Sequence, residues 1–135
     1  MTDIGCNTFP RPANEVERLA CLRQLRVLDT GIDPVFEHIV DLAKSVFQVP
    51  IVLVSLVDED RQWFKARRGL EVREIAREHA FCNYTILSSE LHVVEDTHRD
   101  PRFCRMSAST PVTRLRCRTA WWLVACAWSI KYQGR

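Results

Sequence analysis

Cys82 and His79 are two residues whose types and spacing could support nucleophilic catalysis. They lie three positions apart in the segment 79–87, HAFCNYTIL, which the pattern predicts to be a short helix. A cysteine nucleophile is activated by an adjacent base such as an imidazole. No oxyanion donor and no third, orienting group can be named beside this pair, so a small buried thiol is the simpler interpretation.

The acidic turn Asp58-Glu59-Asp60 is the first place to look for a metal ion. The Asp/Asn ladder and the following glycine of a calcium loop are absent, so a solvated turn is the better interpretation. The cysteines contain no C-x-x-C pair, and no histidine stands at metal-finger spacing from them. The sequence therefore predicts no metal site and identifies no cofactor. The six cysteines are Cys6, Cys21, Cys82, Cys104, Cys117 and Cys126.

The charge of the chain is unevenly distributed. The formal net charge is +2, with 47% hydrophobic and 27% charged residues, values typical of a globular domain. All 17 acidic residues lie at or before Asp100, whereas seven of the 19 lysines and arginines lie after it. Such asymmetry is found in proteins with a nucleic-acid or membrane tail. It also indicates two segments of unlike origin.

The N-terminal residues 1–15, MTDIGCNTFPRPANE, lack the apolar core of a signal peptide. Free thiols in a reduced, cytoplasmic protein are therefore expected rather than disulfides. The longest apolar run, residues 120–128, is far shorter than the roughly 20 residues of a membrane span, so no transmembrane segment is expected. Residues 1–13, which include Pro10 and Pro12, are expected to form a flexible leader.

The elements that must position any site are organised around residues 51–67, IVLVSLVDEDRQWFKAR. Residues 51–57 are nearly all apolar, which predicts a strand covered on both faces. Residues 62–67 alternate, with Trp63, Lys65 and Arg67 on one face and Gln62, Phe64 and Ala66 on the other. A buried strand that returns through a polar turn into a half-exposed one predicts a β-hairpin.

Two helices are predicted before this hairpin. The first runs from Asn14, which with Glu17 forms a plausible capping box, to about Leu28. Its apolar face comprises Val16, Leu19, Leu22, Leu25 and Leu28. The second begins at Asp33-Pro34, a favourable cap and first helical residue. Its apolar face comprises Phe36, Ile39, Val40, Ala43 and Phe47.

Residues 14–103 resemble the first part of GAF domains from bacterial signalling proteins, which often precede histidine kinase or diguanylate cyclase modules. The most specific matching segments are VLDT at 27–30, VPIVLVSLVDEDRQWFKAR at 49–67, AFCNYTIL at 80–87 and VVEDTHRDPRF at 93–103. The resemblance implies an α+β fold, with an antiparallel sheet, helices on one face and a small-molecule pocket on the other.

Six residues are pocket-side candidates by that resemblance: Trp63, Phe64, Phe81, Cys82, Thr85 and Asp96. For Trp63, core packing is favoured over a position at the lip of the pocket, because large aromatic side chains dominate burial. The ligand stays unknown. The partners implied are an unidentified small molecule, an attached kinase or diguanylate cyclase module, and a second copy in a homodimer.

Residues 104–135 do not match that family pattern. They contain no acidic residue and three of the four tryptophans, which predicts a divergent tail foreign to the domain and an incomplete C-terminal half of the sheet. The strand at 51–57 would then expose an open edge, which residues 119–129 would cover imperfectly, as a strand or a loosely packed helix. The alternative is a segment that binds nucleic acid or membrane through Arg114, Arg116, Arg118, Trp121, Trp122 and Trp128.

Three functions therefore follow from the sequence. The first is a non-catalytic, small-molecule-sensing domain or fragment in bacterial signal transduction. The second is a thiol-based reductase of small sulfoxides, since a few free-standing members of the resembled family work in that way. It would use Cys82 or Cys104 with another cysteine as resolver. The third is the basic-aromatic tail as a binding segment.

Overall fold

The computed structural model describes residues 9–97 and 99–103, together with the backbone of residues 114–120 and 123–129. Among these residues two helices precede a sheet of six strands, and short helical turns interrupt the chain between the third and fourth strands. The elements are α1 (Glu15–Leu25), α2 (Pro34–Phe47), β1 (Ile51–Val57), β2 (Arg61–Arg68), β3 (Glu74–Ala76), a 3-10 helix (Arg77–His79), α3 (Cys82–Thr85), β4 (His92–Val94), β5 (Arg114–Ala120) and β6 (Leu123–Ser129).

The sheet has the strand order β3-β2-β1-β6-β5-β4, and every neighbouring pair is antiparallel. α1 and α2 lie on the opposite side of the sheet from α3, because the two groups pack against different buried faces of β1. The predicted α+β fold class is therefore confirmed.

α1 is shorter and less amphipathic than the sequence predicts. It ends at Leu25 rather than near Leu28, because Arg26 adopts a left-handed conformation at its C-terminus. The predicted capping box is wrong, since the Asn14 side chain makes no capping hydrogen bond. Leu22 is buried, as is Leu19, but Val16 is 79% exposed. The buried apolar face of α1 is narrow, and its contact with the sheet is made by Leu22, which packs with Leu56 and Trp63.

α2 begins as predicted. The Asp33 side chain accepts a hydrogen bond from the backbone N–H of Val35 at 3.0 Å, and Pro34 occupies the first turn. Of the predicted apolar face only Val40 is fully buried, whereas Ile39 and Phe47 are exposed. A second apolar row is also open to solvent. It consists of Val35, Ile39, Leu42 and Val46, which follow helical spacing.

The predicted hairpin of β1 and β2 is confirmed, but its alternation changes part-way. The register passes from Val54 opposite Ala66 to Ser55 opposite Phe64, so Lys65 is an extra residue. This β-bulge is why the predicted sharing of one face by Phe64 and Ala66 is wrong. Phe64 packs in one cluster with Phe81 and Cys82 at α3, whereas Ala66 packs with Val54 against α2.

Buried side chains form a layer on each face of the sheet. On the first face β1 and β2 pack against α1 and α2, through clusters around Val40 and Leu22. The second layer lies where the family resemblance would place a pocket, and it is named the ligand-side layer for that reason. Its buried members are Ile51, Leu53, Val57, Phe64, Phe81, Cys82, Ile86, Val94 and Phe103.

β6 pairs with β1 from Ile51 opposite Trp128 to Leu56 opposite Leu123. The expected open edge of β1 is therefore wrong, since β1 has a hydrogen-bonded neighbour on each side. Of the two forms predicted for the covering segment, the strand is the one observed. Whether residues 104–135 are foreign to the domain stays a prediction.

Buried charged residues join α1 to the 3-10 helix and to α3. The Glu15 carboxylate accepts hydrogen bonds from Arg18, at 2.9 Å, and from the guanidinium of Arg77 in the 3-10 helix. Arg77 also donates to the Asn83 side chain at 3.0 Å, and its guanidinium lies 4.8 Å from the ring of Phe9. Burial acts to raise the pKa of Glu15, but the bonds from Arg18 and Arg77 outweigh it and hold that pKa below its usual value.

The Gly69→Ala substitution is expected to destabilise the protein by at least about 2 kcal/mol. Gly69 has φ +79°, and a β-carbon there would overlap the carbonyl oxygen of Pro50 at the entry to β1. Gly31→Ala is the matched control, because no atom lies within 4 Å of its β-carbon position. Urea unfolding of both variants tests this, and equal midpoints would contradict it.

Glu15→Gln is expected to lower the free energy of unfolding by about 3 kcal/mol or more, because two buried guanidinium groups would lose their shared anion. Glu17→Gln removes the same charge from an exposed position of the same helix and should change stability by less than about 0.5 kcal/mol. Chemical denaturation of the two variants provides the comparison. A Glu15 variant as stable as the Glu17 variant would show that the network contributes little.

Candidate functional site

Three of the six candidate site residues meet in the ligand-side layer. Phe64, Phe81 and Cys82 belong to the same buried cluster, and Thr85 is buried on α3 beside them. Trp63 lies on the other face of the sheet, where it packs with Leu22 and Leu56. Its interpretation as a core residue is therefore the one that the structure supports.

Asp96 lies on the turn after β4, half-buried, with its carboxylate 3.7 Å from the guanidinium of Arg99.

The catalytic pair suggested by the sequence spacing, His79 and Cys82, is not assembled. His79 is 64% exposed and lies 3.5 Å from Glu78, whereas Cys82 is fully buried. The imidazole is thus not placed to activate the Cys82 thiol.

A polar group from β2 reaches into the ligand-side layer beneath α3. The Gln62 side chain is fully buried and its amide nitrogen donates to Ser55 Oγ at 2.8 Å and to Cys82 Sγ at 3.2 Å. Its other amide atom, Oε1, is buried and has no hydrogen-bond partner among the described residues. Exchanging the two amide atoms would leave the nitrogen without a partner instead, because hydroxyl and thiol groups both donate and accept.

A second unsatisfied polar atom belongs to His92 on β4. Its Nδ1 lies 3.5 Å from the Thr85 hydroxyl oxygen, whereas Nε2 is buried and finds no partner in the described part of the chain. Burial, and then the charge of Arg102, lower the pKa of His92 below its usual 6.5. The imidazole is therefore neutral at pH 7, with one nitrogen that donates and one that accepts.

Aromatic rings pack beside His92, whose ring lies 6.1 Å from that of Phe103. The Phe103 ring packs against Phe81 at 5.3 Å, and Tyr84 meets its edge at 5.0 Å. The Arg102 guanidinium lies over Phe103 at 5.1 Å and is paired with Asp100 at 2.6 Å. Buried hydrogen-bonding atoms within aromatic walls are the usual composition of a small-molecule site.

The family model of the GAF domain matches residues 31–125, more than half of the chain. This chain belongs to the GAF domain family. The match continues past Phe103 and includes β5 and part of β6. The family resemblance noted in the sequence is confirmed.

A cyclic di-GMP phosphodiesterase of Pseudomonas aeruginosa is 46% identical to this GAF domain over 96 residues. That alignment covers 71% of this chain and 16% of the phosphodiesterase, so the chain spans about a sixth of the relative it matches.

Two solved structures illustrate the shared fold. The GAF domain of an Acinetobacter phosphoenolpyruvate-protein phosphotransferase has a TM-score of 0.59 at 13% identity, covering 91% of this chain and 81% of that one. Free methionine-R-sulfoxide reductase of Neisseria meningitidis, solved with its substrate, has a TM-score of 0.56 at 19% identity, covering 87% and 76%. At these identities the likeness shows the fold alone.

The surface of this GAF domain also carries an open groove of about 1100 Å³ beside β2 and β3. Some of its charged residues take part in ion pairs. Asp29 and Glu74 pair with Arg61, beside the groove, at 2.7 and 2.6 Å, and Glu37 pairs with Arg68. An open groove would leave much of a small ligand in solvent, so it is a weaker candidate than the unsatisfied atoms of the ligand-side layer.

The acidic turn behaves as a solvated hairpin turn. Asp58 pairs with Arg61 at 3.3 Å, and Glu59 pairs with the exposed Arg23 at 3.1 Å. Among the side chains that the structure describes, no group of three His, Cys, Asp or Glu residues is arranged to hold a metal ion.

Three residues of the site were not among the sequence candidates: Ser55, Gln62 and His92. The alternation of β2 places Gln62 on the same face as Phe64, so one signal for Gln62 was present in the sequence. Ser55, the one polar residue within β1, was another such signal. His92 carried none, because a single histidine in a three-residue strand has no distinctive pattern.

Lowering the pH from 7.5 to 5.5 is expected to destabilise the wild-type protein more than the His92→Phe variant. The folded state holds the His92 pKa below 6.5, so the unfolded chain takes up the proton first as the pH falls below that value. The carboxylates with lowered pKa, Glu15, Asp29 and Asp100, act only below about pH 4.5.

Urea unfolding at several pH values measures this difference. His38→Phe, at an exposed position of α2, serves as the control. Parallel pH profiles for the wild type and the His92 variant would contradict the assignment.

Proposed function

We propose that this GAF domain senses a small molecule bound in the ligand-side layer. The observation that carries the proposal is the pair of buried atoms, Gln62 Oε1 and His92 Nε2, without hydrogen-bond partners among the described residues. A buried polar group left unpaired costs about 1–3 kcal/mol, which a ligand that satisfies it would recover. Of the sequence candidates, Phe64, Phe81, Cys82 and Thr85 line this layer, and Asp96 and Trp63 lie away from its centre.

The ligand we propose is a small molecule that carries hydrogen-bonding groups and few negative charges. The polar groups described around the site are an amide, hydroxyls, a thiol and a neutral imidazole. Arg102, the cation that acts on His92, is already neutralised by Asp100. A ligand with two phosphates would need cations that this layer does not offer among its described side chains.

Binding would then shift the equilibrium between two arrangements of α3 and the sheet, and so signal to an attached output module. The phosphodiesterase relative favours an output that acts on cyclic di-GMP over the histidine kinase implied by the sequence resemblance. We place that activity in another part of such a protein and infer that this domain is regulatory.

A sulfoxide reductase is the second candidate, and the fold likeness to free methionine-R-sulfoxide reductase favours it. It requires a reactive thiol, and reactive thiols are accessible and electropositive. Cys82 is instead fully buried and accepts a hydrogen bond from Gln62. Cys104, the other thiol considered, lies outside the described residues. Preferential alkylation of either thiol by iodoacetamide at neutral pH would support the sulfoxide reductase hypothesis.

The basic-aromatic segment remains the third candidate. β5 places Arg116 opposite Ala127 and Arg118 opposite Ala125, so the two arginines occupy one face of the strand. Trp121 and Trp122 lie outside the described residues. Binding of polyphosphate or anionic vesicles that does not weaken with salt would exclude a phosphate-contact role.

None of the helices in the described part of the chain is long and apolar enough to cross a membrane. We propose a cytoplasmic domain because a signalling output on cyclic di-GMP acts there. A homodimer also stays a prediction, and the exposed apolar row of α2 is the surface on which we would test it.

A thermal-shift screen of the purified chain tests the sensory proposal. The panel contains purine and pyrimidine bases, nucleosides, amino acids, small organic acids, cyclic mononucleotides and cyclic di-GMP. We expect uncharged or weakly charged members to raise the melting temperature. Gln62→Met should abolish the shift while changing the stability of the free protein by less than about 1 kcal/mol, because it removes an unsatisfied group together with its two bonds.

Arg23→Ala is the matched control, since it alters an exposed ion pair on α1 and should leave ligand binding unchanged. A shift that persists in the Gln62 variant would place the ligand elsewhere. A response to cyclic di-GMP alone would reject the proposed ligand class.

A further inference from the structure

Three residues with metal-binding side chains occupy one row across three neighbouring strands. In the pairing of β4 with β5, His92 lies opposite Cys117. In the pairing of β5 with β6, Cys117 lies opposite Cys126. The row continues to β1, where Leu53 lies opposite Cys126. The three residues are distant in sequence and become neighbours only through strand pairing.

Both ends of this row show which face of the sheet it belongs to. Leu53 is buried in the ligand-side layer. Val94 is also buried there, and His92 shares its face because the two residues are two positions apart on one strand. Directly opposite residues of antiparallel strands lie on the same face. Cys117 and Cys126 therefore hold register positions on the ligand-side face.

Of the three metal-binding residues, His92 is the one whose side chain the structure describes. That side chain is arranged as a metal ligand would be. Its Nε2 is buried and has no partner among the described residues, while Nδ1 contacts the Thr85 hydroxyl oxygen at 3.5 Å. A metal-bound histidine commonly uses its second nitrogen for such an outer contact, which fixes the orientation of the ring. An Nδ1–H that donates to Thr85 leaves the Nε2 lone pair available.

We propose that Cys117, Cys126 and His92 bind a thiophilic divalent cation such as Zn²⁺. Thiolate sulfur and imidazole nitrogen are the ligands that zinc prefers, at about 2.3 and 2.0–2.1 Å. The β-carbons of directly opposite residues are about 4.5–5.5 Å apart, a spacing that two thiolates on one ion can bridge. Cys117 holds the central position, opposite both other ligands.

Binding converts two thiols into thiolates and releases their two protons to solvent. The ion and its two thiolates are together neutral, so the layer gains no net charge. Three protein ligands leave one tetrahedral position for water or for a bound small molecule. The metal site does not depend on the layer being sensory. It uses His92 Nε2, so Gln62 Oε1 is the unpaired atom that it leaves for a small molecule.

Cobalt titration of the reduced 135-residue chain tests the proposal. Co²⁺ bound by thiolates gives visible bands, and Zn²⁺ added in competition should remove them at one ion per chain. Cys117→Ser, Cys126→Ser and His92→Gln are each expected to weaken binding at least tenfold. Cys21→Ser, at an exposed position of α1, is the control and should bind as the wild type does. Circular dichroism checks that each variant is folded.

A second measurement uses the wild-type chain, so it does not depend on the folding of variants. Zn²⁺ should protect Cys117 and Cys126, but not Cys21, from iodoacetamide, as read by peptide mass spectrometry.

Absence of Co²⁺ and Zn²⁺ binding by the reduced chain would overturn the proposal, as would binding that survives all three substitutions. A Cys117–Cys126 disulfide formed on mild oxidation, without metal affinity, would make the pair a redox couple instead and also overturn it. A hit in the metabolite screen without metal binding would remove the metal site and leave the sensory proposal standing.

Discussion

The complete burial of β1 is the constraint on which the rest of the structure depends. All seven residues from Ile51 to Val57 are buried, and both edges of the strand are paired, with β2 and with β6. A strand of this kind must have packing partners on both faces, because its side chains point alternately to each. α2 and α1 cover one face, and α3 together with the turn that ends at Phe103 covers the other. The ligand-side layer exists because β1 needs that second cover.

The β-bulge at Lys65 reconciles two demands on β2. Near the turn, Gln62 and Phe64 must enter the ligand-side layer, and further along Ala66 must present a small surface to α2. Strict alternation would place Phe64 and Ala66 on one face. One extra residue changes the phase of the strand between them. The polar centre of the layer and the close packing of α2 are therefore both consequences of one irregularity.

The buried ions couple the site to the helix at the start of the domain. Arg77 donates to Asn83 on α3, which borders the ligand-side layer, and to Glu15 in the first turn of α1. A displacement of α3 would have to move or break these buried bonds, each of which is expensive to leave unmade. α1 is therefore joined to α3 through Arg77, whereas α2 is attached mainly to the sheet.

The sequence by itself determined the local elements and the family. The β1–β2 hairpin, the start of α2 at Asp33-Pro34 and the two-sided cover of β1 all follow from patterns of neighbouring residues, since turn chemistry, capping and periodicity act over a few positions. The aromatic residues Phe64 and Phe81 were found because the family segments carry them.

Only the tertiary structure decided which of these elements meet and in which register. It placed Trp63 on the helix side, joined Glu15 to Arg77, and brought Gln62 to Cys82. It also paired β6 with β1, so that His92, Cys117 and Cys126 fall in one row. Each of these relations joins residues that are distant in the chain, and each depends on strand register, where a shift of one residue reverses every face. Composition and local periodicity contain no information about that choice, because register is set by how the whole sheet packs.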